Sequence, residues 1–263
     1  MTSLRSLFGS FSLVAILFGS TQSAHAIVLH FEDFNDSTIG YTSTLPDPGT
    51  SDSNGSYFGR IGGAGGLTVG GGVSFTNTSG GYFGASQTAL NSGPNIGSGL
   101  ISWTGINISG FTNLSFSGLF AEDDDPGVAD RWDPNSEVLV SARIDGGSFF
   151  NVFGIQSSSN GSSNTAPRVD TNFDGLGDGA EITDTFTQFV ANIAGTGNLL
   201  DLRIVMSGLT EVGEDIAFDN IMITGDEGEP VATPEPGSLA LLGSLAFGGF
   251  VVRRRRRRLG ASA

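Results

Sequence analysis

The sequence predicts an all-β domain, an antiparallel sandwich, and three observations carry this prediction. Short runs of β-type residues alternate with clusters of Gly, Asn, Ser and Asp from Ile27 to Thr224, and no stretch has a sustained helical period. Two of these runs flank Asp145-Gly146-Gly147, which is typical of a hairpin turn. No repeat of about 40 to 50 residues is visible, which argues against a propeller.

Three runs place apolar residues on one parity and polar residues on the other, the pattern of a strand with one buried face. Residues 186–193 and 216–223 supply two further strands. Residues 57–98 are so rich in glycine that strand boundaries are not assigned there, and a flexible low-complexity segment is the alternative. The predicted inward positions are Leu114, Phe116 and Phe120, then Val138, Val140, Ala142 and Ile144, then Leu200, Leu202, Ile204 and Met206.

A signal peptide is predicted for residues 1–26. Arg5 is the only charge before a short apolar run, and Ala24 and Ala26 then form an A-x-A cleavage site. The run is too short to span a bilayer comfortably, so cleavage is favoured over an uncleaved anchor. The mature chain is therefore expected to begin near Ile27 and to act outside the cytoplasm.

The β-sandwich domain is assigned to residues 27–230, and residues 231–263 form a separate C-terminal segment. In that segment Pro234, Glu235 and Pro236 precede an apolar, Gly-rich run, and a block of arginines follows it. The run is predicted to be a transmembrane helix of marginal length, since about 20 apolar residues are normally needed. The arginine block is expected to stay on the cytoplasmic side of the inner membrane.

The order of motif, apolar span and arginine block resembles the PEP-CTERM sorting signal of Gram-negative bacteria. The resemblance covers about the last 30 residues of the chain. It implies cleavage near the motif by an exosortase, a membrane cysteine protease, after a transient stay in the inner membrane. It also implies a secreted or cell-surface protein of biofilm-forming cells that produce exopolysaccharide.

The amino-acid composition excludes several catalytic mechanisms. The chain has no lysine and no cysteine, and its predicted mature form has one histidine, His30, which is expected to be structural. A Cys nucleophile, a Schiff-base lysine and a multi-histidine zinc site are thereby excluded.

The chain has 27 Asp plus Glu against 12 Arg, and half of the arginines are in the C-terminal block. Such an acidic domain repels phosphate backbones, which argues against nucleic acid as a partner.

The sharpest motif covers residues 170–181 and fits the twelve-position calcium loop D-x-N-x-D-G-x₅-E. Gly175 stands where this loop makes its sharp turn. The flanks read as loop and strand, so the motif resembles an EF-hand or dockerin loop without its helices. A hydrated Asp-Gly turn is the alternative. The predicted calcium ligands are Asp170, Asn172, Asp174, Leu176 through its carbonyl, Asp178 and Glu181.

Residues 27–34 and 216–221 look like the first and last strands of concanavalin-like (jelly-roll) and carbohydrate-module-like sandwiches. The resemblance implies that the two strands pair, and that the domain is a binding or adhesive module. It also implies a second calcium site joining Glu32 or Asp33 to Asp219, with simple surface carboxylates as the alternative. Two tryptophans are candidates to stack on sugar rings, although a place in the core is the commoner role. They are Trp103 and Trp132.

The leading hypothesis is a non-catalytic, calcium-stabilised surface or matrix protein that binds an extracellular polysaccharide or matrix component. The alternative is a secreted carboxylate-dependent glycosidase or polysaccharide lyase, because glycoside hydrolysis needs only two suitably spaced carboxyl groups. The candidate carboxylates for that alternative are Glu122, Asp123, Asp124, Asp125, Asp130, Asp133 and Glu137.

Overall fold

A computed structural model gives the structure of the domain. The predicted sites at Ala24 and at Pro234, Glu235 and Pro236 lie outside the described residues, as does the apolar run 237–252. No helix occurs in the described part of the chain, so none there is long and apolar enough to cross a membrane. The structure describes residues 26–53, 55–69, 75–78, 80–88, 96–123, 132–161, 165–211 and 213–228.

Thirteen strands in the described residues form two antiparallel sheets, which confirms the predicted all-β sandwich. The strands are β1 (Ala26–Glu32), β2 (Thr42–Ser43), β3 (Gly49–Ser51), β4 (Tyr57–Ile61), β5 (Tyr82–Ser86), β6 (Ser98–Asn107), β7 (Phe111–Ala121), β8 (Glu137–Ile144), β9 (Phe150–Ser157), β10 (Pro167–Val169), β11 (Thr187–Asn192), β12 (Leu199–Ser207) and β13 (Asp215–Glu227). Sheet A has the order β11-β7-β13-β5-β4-β3, and β1 lies beside the second half of β13. Sheet B has the order β10-β9-β8-β12-β6-β2.

The predicted inward positions fill the space between the sheets. Leu114, Phe116 and Phe120 of β7 are at most 1% exposed, and the inward residues of β8 and β12 are equally buried, except that Ile144 is only partly covered. Trp103 and Trp132 also lie in this core, at 1% and 0% exposure. Neither tryptophan therefore has a face open to a sugar ring.

The predicted hairpin joins β8 to β9. Asp145 and Gly146 have φ values of 50° and 72°, and two successive positive values are typical of a type I′ turn. The Asp145 carboxylate also accepts hydrogen bonds from the backbone N–H groups of Asn198 and Leu199, at 3.0 and 2.9 Å. These bonds tie the turn to the start of β12, so the turn fixes the register of three strands.

The first and last strands pair, as the resemblance implied. The ladder runs from Ala26 opposite Asp226 to Glu32 opposite Ile221, with a bulge between Val28 and His30. β1 begins one residue before the predicted mature N-terminus. Both ends of the described domain therefore lie at the same end of sheet A.

The Gly-rich stretch contains β4 and β5, which no pattern in the sequence located. All five residues of β4 are buried, so the strand has no alternation between polar and apolar residues. Gly59 of β4 lies against Gly49 of β3, and a Cβ on Gly59 would be 2.0 Å from the carbonyl oxygen of Pro48. Glycine is required here because two backbones approach closely.

Candidate functional site

The outer face of sheet B presents side chains in rows that cross the strands. Residues opposite each other in adjacent strands point to the same face of a sheet. One such row is apolar and consists of Leu100 on β6, Val205 on β12, Leu139 on β8 and Gly154 on β9. With strands about 4.8 Å apart, this apolar row is about 15 Å long.

Polar residues flank the apolar row on both sides. The flanking positions lie two residues from the apolar ones, except that a bulge places Asn151 three residues before Gly154, and that one row extends onto β10. One row is Ser102, Arg203, Ser141 and Asn151, and the other is Ser98, Ser207, Glu137, Gln156 and Arg168. The face is therefore an apolar strip between two sets of hydrogen-bonding groups.

The first half of the 170–181 loop forms a wall at one end of the apolar row. The ring of Phe173 lies over Gly154, such that a Cβ on that glycine would be 3.4 Å from two ring carbons. Phe173 is 40% exposed, which leaves much of its surface to solvent. Loop and sheet together enclose a cleft of about 280 Å³. The cleft is lined by Glu137, Leu139, Asn151, Gly154, Gln156, Asp170, Phe173, Asp174 and Gly175.

Hydrogen bonds from the loop backbone to Asp170 hold Phe173 in this position. One carboxylate oxygen of Asp170 accepts from the N–H groups of Asn172 and Phe173, at 3.2 and 2.7 Å, and the other accepts from Gly175 at 3.0 Å. These bonds form Asx turns, which Asp favours. Phe173 has φ of 60°, an uncommon value for an aromatic residue, so the turn determines the direction of its ring.

The side chains of Asn151 and Gln156 make no hydrogen bond within the part of the chain that the structure describes, although both line the cleft. Glu137 has one long contact, 3.5 Å from the hydroxyl of Ser207. Two amides and a carboxylate therefore retain hydrogen-bonding capacity toward a ligand.

Two arginines lie together on the same face, Arg203 within the polar row and Arg143 beyond it. The guanidinium carbon of Arg203 is 3.8 Å from the centre of the Phe149 ring, and that of Arg143 is 4.8 Å from it. Arg143 also donates to Asp201 at 2.8 Å. The Arg203 Nε is buried and has no hydrogen-bond partner among the residues that the structure describes. The stack fixes both side chains through cation–π contacts.

The predicted calcium ligands separate into two groups. Asp170, Asn172 and Asp174 follow one another in the turn beside the cleft, where Asp174 accepts the N–H of Leu176 at 3.1 Å. The side chains of Asp178 and Glu181 have different partners. Among the residues that the structure describes, no three His, Asp or Glu side chains are grouped so as to hold a metal ion.

Asp178 contacts the first half of the loop at Thr171, whereas Glu181 pairs with Arg168 outside the loop. Asp178 accepts the N–H and the hydroxyl of Thr171, at 2.9 and 2.8 Å, and these bonds lower the pKa of its carboxyl group. Glu181 forms an ion pair with Arg168, opposite which it lies in a β-bridge. Calcium binding by the complete loop would therefore require Glu181 to leave Arg168.

The carboxylates of the second predicted calcium site, Glu32, Asp33 and Asp219, interact electrostatically near the pairing of β1 with β13, but among the described residues they form no group that could hold a metal ion. Asp219 is 4% exposed, and burial, with smaller contributions from the charges of Asp33 and Glu32, raises its pKa to about 7. Burial also raises the pKa of Glu32. His30 precedes Glu32 by two residues on β1; burial lowers the pKa of its ring, whose centre is 5.8 Å from that of Trp103.

Of the described carboxylates proposed for catalysis, only Glu137 lines the cleft. Glu122 is 1% exposed at the end of β7 in sheet A, whereas Glu137 lines the cleft on sheet B, and the cleft lining does not include Glu122. Asp133 accepts the N–H of Asn135 at 2.7 Å within a turn. Asp124, Asp125 and Asp130 lie outside the described residues.

Sequence reasoning missed the cleft. The sheet residues that line it lie on β8 and β9, and the apolar row continues onto β12 and β6, which only the strand pairing brings alongside. A usable signal was the outward position of each strand: Leu100, Leu139 and Val205 are apolar where a solvated face would be polar.

Several solved structures have similar folds at low similarity. A Stig cyclase, Fisc from Fischerella sp. TAU, is 14% identical, with a TM-score of 0.42 over 78% of this chain and 100% of that one. The mannan-recognising module TmCBM27 is 12% identical, with a TM-score of 0.35 over 77% and 99%. The family 11 carbohydrate-binding module of Lic26A-Cel5E from Clostridium thermocellum is 9% identical, with a TM-score of 0.36 over 78% and 96%. These values are too low to transfer a ligand or an activity.

No curated protein is similar to the chain in sequence. The C-terminal segment does match a family model, over residues 232–257, and the model describes the PEP-CTERM protein-sorting motif. The match confirms the resemblance found in Pro234, Glu235 and Pro236 and the residues after them. The chain therefore carries a PEP-CTERM protein-sorting motif, which marks an exported protein that is secreted or associated with the cell surface.

Proposed function

We propose that the chain is a non-catalytic surface or matrix protein that binds polysaccharide along the cleft of sheet B after exosortase processing. The observation that supports this most directly is the apolar row between polar rows, where the side chains of Asn151 and Gln156 have no hydrogen-bond partner among the described residues. A sugar ring has apolar C–H faces and a rim of hydroxyl groups. The face offers a complementary surface to both.

The length and openness of the face favour a chain of sugars over a single one. The apolar row crosses four strands, and Leu100 at its far end is 37% exposed. Phe173 provides one aromatic surface for stacking, and its ring is held by the Asp170 turn before any ligand arrives. Such preorganisation lowers the entropic cost of binding.

Charge favours a neutral polysaccharide. Glu137, Asp170 and Asp174 line the cleft, and the domain as a whole has a large surplus of carboxylates. A uronic-acid chain would meet like charge in the cleft. Hydroxyl groups, by contrast, can donate to these carboxylates and exchange hydrogen bonds with the two amides.

Replacing Phe173 with alanine is expected to weaken polysaccharide binding about tenfold, because the main aromatic contact is lost. Phe31→Ala is the matched control, since Phe31 is 51% exposed but lies on β1 of sheet A. Titration calorimetry with neutral glucans and mannans measures both affinities. Equal losses in the two variants would place the binding surface elsewhere.

The catalytic alternative is tested in the same samples. A glycosidase or lyase would release reducing ends, and Glu137 is the candidate carboxylate that lines the cleft. We expect binding without release of reducing sugar from the wild type. Turnover that disappears in Glu137→Ala would reject the non-catalytic proposal in favour of the enzyme.

We also propose that calcium stabilises the 170–181 loop. Support comes from the turn at Asp170, which directs three backbone N–H groups to one carboxylate, and from Gly175, whose φ is 89°. Both features suit a loop that wraps an ion. The proposal requires that Glu181 exchange Arg168 for the ion.

Calcium at about 100 times its Kd is expected to add roughly 2.7 kcal/mol to the free energy of unfolding. For a domain of this size the melting temperature should rise on the order of 5 to 10 °C. Glu181→Gln should remove most of this rise while changing the melting temperature in EDTA little. Calorimetric scans of the wild type that coincide in EDTA and in millimolar calcium would mean that the loop is a hydrated turn.

A further inference from the structure

The open edges of the two sheets differ in how they are protected. Edge strands expose unpaired N–H and C=O groups, and proteins protect them by shortness, bulges or charges. In the described residues, β2, β3 and β10 are edge strands of only two or three residues. β1 is longer, but it contains a bulge after Val28 and ends at Glu32.

β11 has none of these protections. It has six residues, Thr187–Asn192, in unbroken register with β7, and it contains no charge and no proline. No strand in the described part of the chain pairs with its other side. Val190 at its centre is 65% exposed, the highest value among the exposed large hydrophobic residues described.

The surroundings of β11 are neutral in an otherwise acidic domain. No charged residue occurs between Asp184 and Asp201, and β7, the neighbouring strand, has none either. Two copies of the domain would repel each other through most surfaces. They would meet less repulsion where β11 of one copy faces β11 of the other.

The strand is complementary to a second, antiparallel copy of itself. Opposite residues must share a face, so a two-fold axis at Val190 sets Gln188 opposite Asn192 and Phe189 opposite Ala191. The two Val190 side chains then contact each other, and each amide can bond to the other. The inward pairs extend the apolar core layer across the interface.

We propose that β11 pairs with β11 of a second copy, which joins two A sheets into one continuous sheet across a two-fold axis. The dimer leaves the outer face of sheet B free in both copies, because β11 belongs to sheet A. Each dimer therefore presents two clefts, and two sites on one particle bind a polymer more tightly than either alone. This last consequence rests on the proposed function, whereas the pairing itself does not.

Single cysteines test the pairing directly, because the chain contains no cysteine of its own. In a pair centred on Val190 the two Cβ atoms are about 5 Å apart, within reach of a short thiol cross-linker. We expect Val190→Cys of the exported protein to cross-link to a dimer. Gln188→Cys should not, since the two copies of residue 188 are about 13 Å apart along the strands.

Val28→Cys measures random collision, because Val28 is 54% exposed on β1. Sedimentation velocity of the cysteine-free protein gives an independent measure, and Val190→Lys should shift it to monomer while Val190→Thr should not. A monomeric wild type, or cross-linking of Val190→Cys no greater than that of Val28→Cys, would overturn the proposal. Both outcomes are independent of whether a polysaccharide binds.

Discussion

Replacing Arg60 with methionine is expected to lower the free energy of unfolding by about 3 kcal/mol, because the partly buried Asp47 loses its counter-charge. Arg60 is 1% exposed and donates to both carboxylate oxygens of Asp47, at 3.0 and 2.9 Å. It also donates to the carbonyl of Ala64, and Tyr41 donates to Asp47 at 2.7 Å. The pair thus fixes the loop between β2 and β3 against β4.

Chemical denaturation at neutral pH measures this loss, and Arg143→Met is the matched control. Arg143 forms an equally short pair with Asp201, but its side chain is 36% exposed, so its loss should cost at most about 1 kcal/mol. Hydrogen bonds from Arg60 lower the pKa of Asp47 below 3.8. The contribution of the pair is therefore present above pH 3.8 and is lost as the pH falls through the lowered value. Equal losses of unfolding free energy in Arg60→Met and Arg143→Met would contradict the view that burial makes the Arg60–Asp47 pair the stronger one.

Replacing Asp219 with asparagine is expected to stabilise the domain at pH 8 in EDTA, by up to about 4 kcal/mol. The pKa of Asp219 rises from 3.8 to about 7 on folding because the carboxylate is buried near Glu32 and Asp33. The folded state therefore holds the proton more tightly than the unfolded state between these two values. Stability falls as the pH rises through that range, and asparagine removes the penalty.

The measurement is the free energy of unfolding of both proteins from pH 4 to pH 8 with EDTA present. The two curves should meet near pH 4 and diverge until about pH 7, with the variant above the wild type. Asp33→Asn is a useful comparison, because it removes a neighbouring charge while the buried carboxyl stays. A variant less stable than the wild type at pH 8 would show that the carboxylate is needed in its charged form.

The strands with one buried face could be predicted because each of them obeys the period of two. Leu200, Leu202, Ile204 and Met206 are all fully buried, and the Asp145-Gly146 turn adopts the expected conformation. The strands that escaped prediction break that rule for a physical reason. β4 is buried on both faces and depends on Gly59 for its close approach to β3, so its sequence has no alternation to detect.

The candidate site was predictable only in its local part. Asp170 and Gly175 could be recognised from their spacing, and the turn that they form is present. The apolar row that extends from the cleft could not be recognised, because Leu139 and Val205 are 66 residues apart and meet only through the pairing of β8 with β12. Their alignment is a property of sheet order, which the sequence does not encode in any short pattern.

Binding of the wild-type exported protein to a neutral extracellular polysaccharide tests the central proposal most directly. Affinity electrophoresis through gels that contain polysaccharide purified from exopolysaccharide-producing cells is suitable, because a bound protein is retarded in proportion to affinity. We expect retardation of the wild type and of Phe31→Ala, and clearly less retardation of Phe173→Ala. Equal mobility of the wild type with and without the polysaccharide, across neutral and acidic preparations, would contradict the assignment of the sheet B cleft as a polysaccharide-binding site.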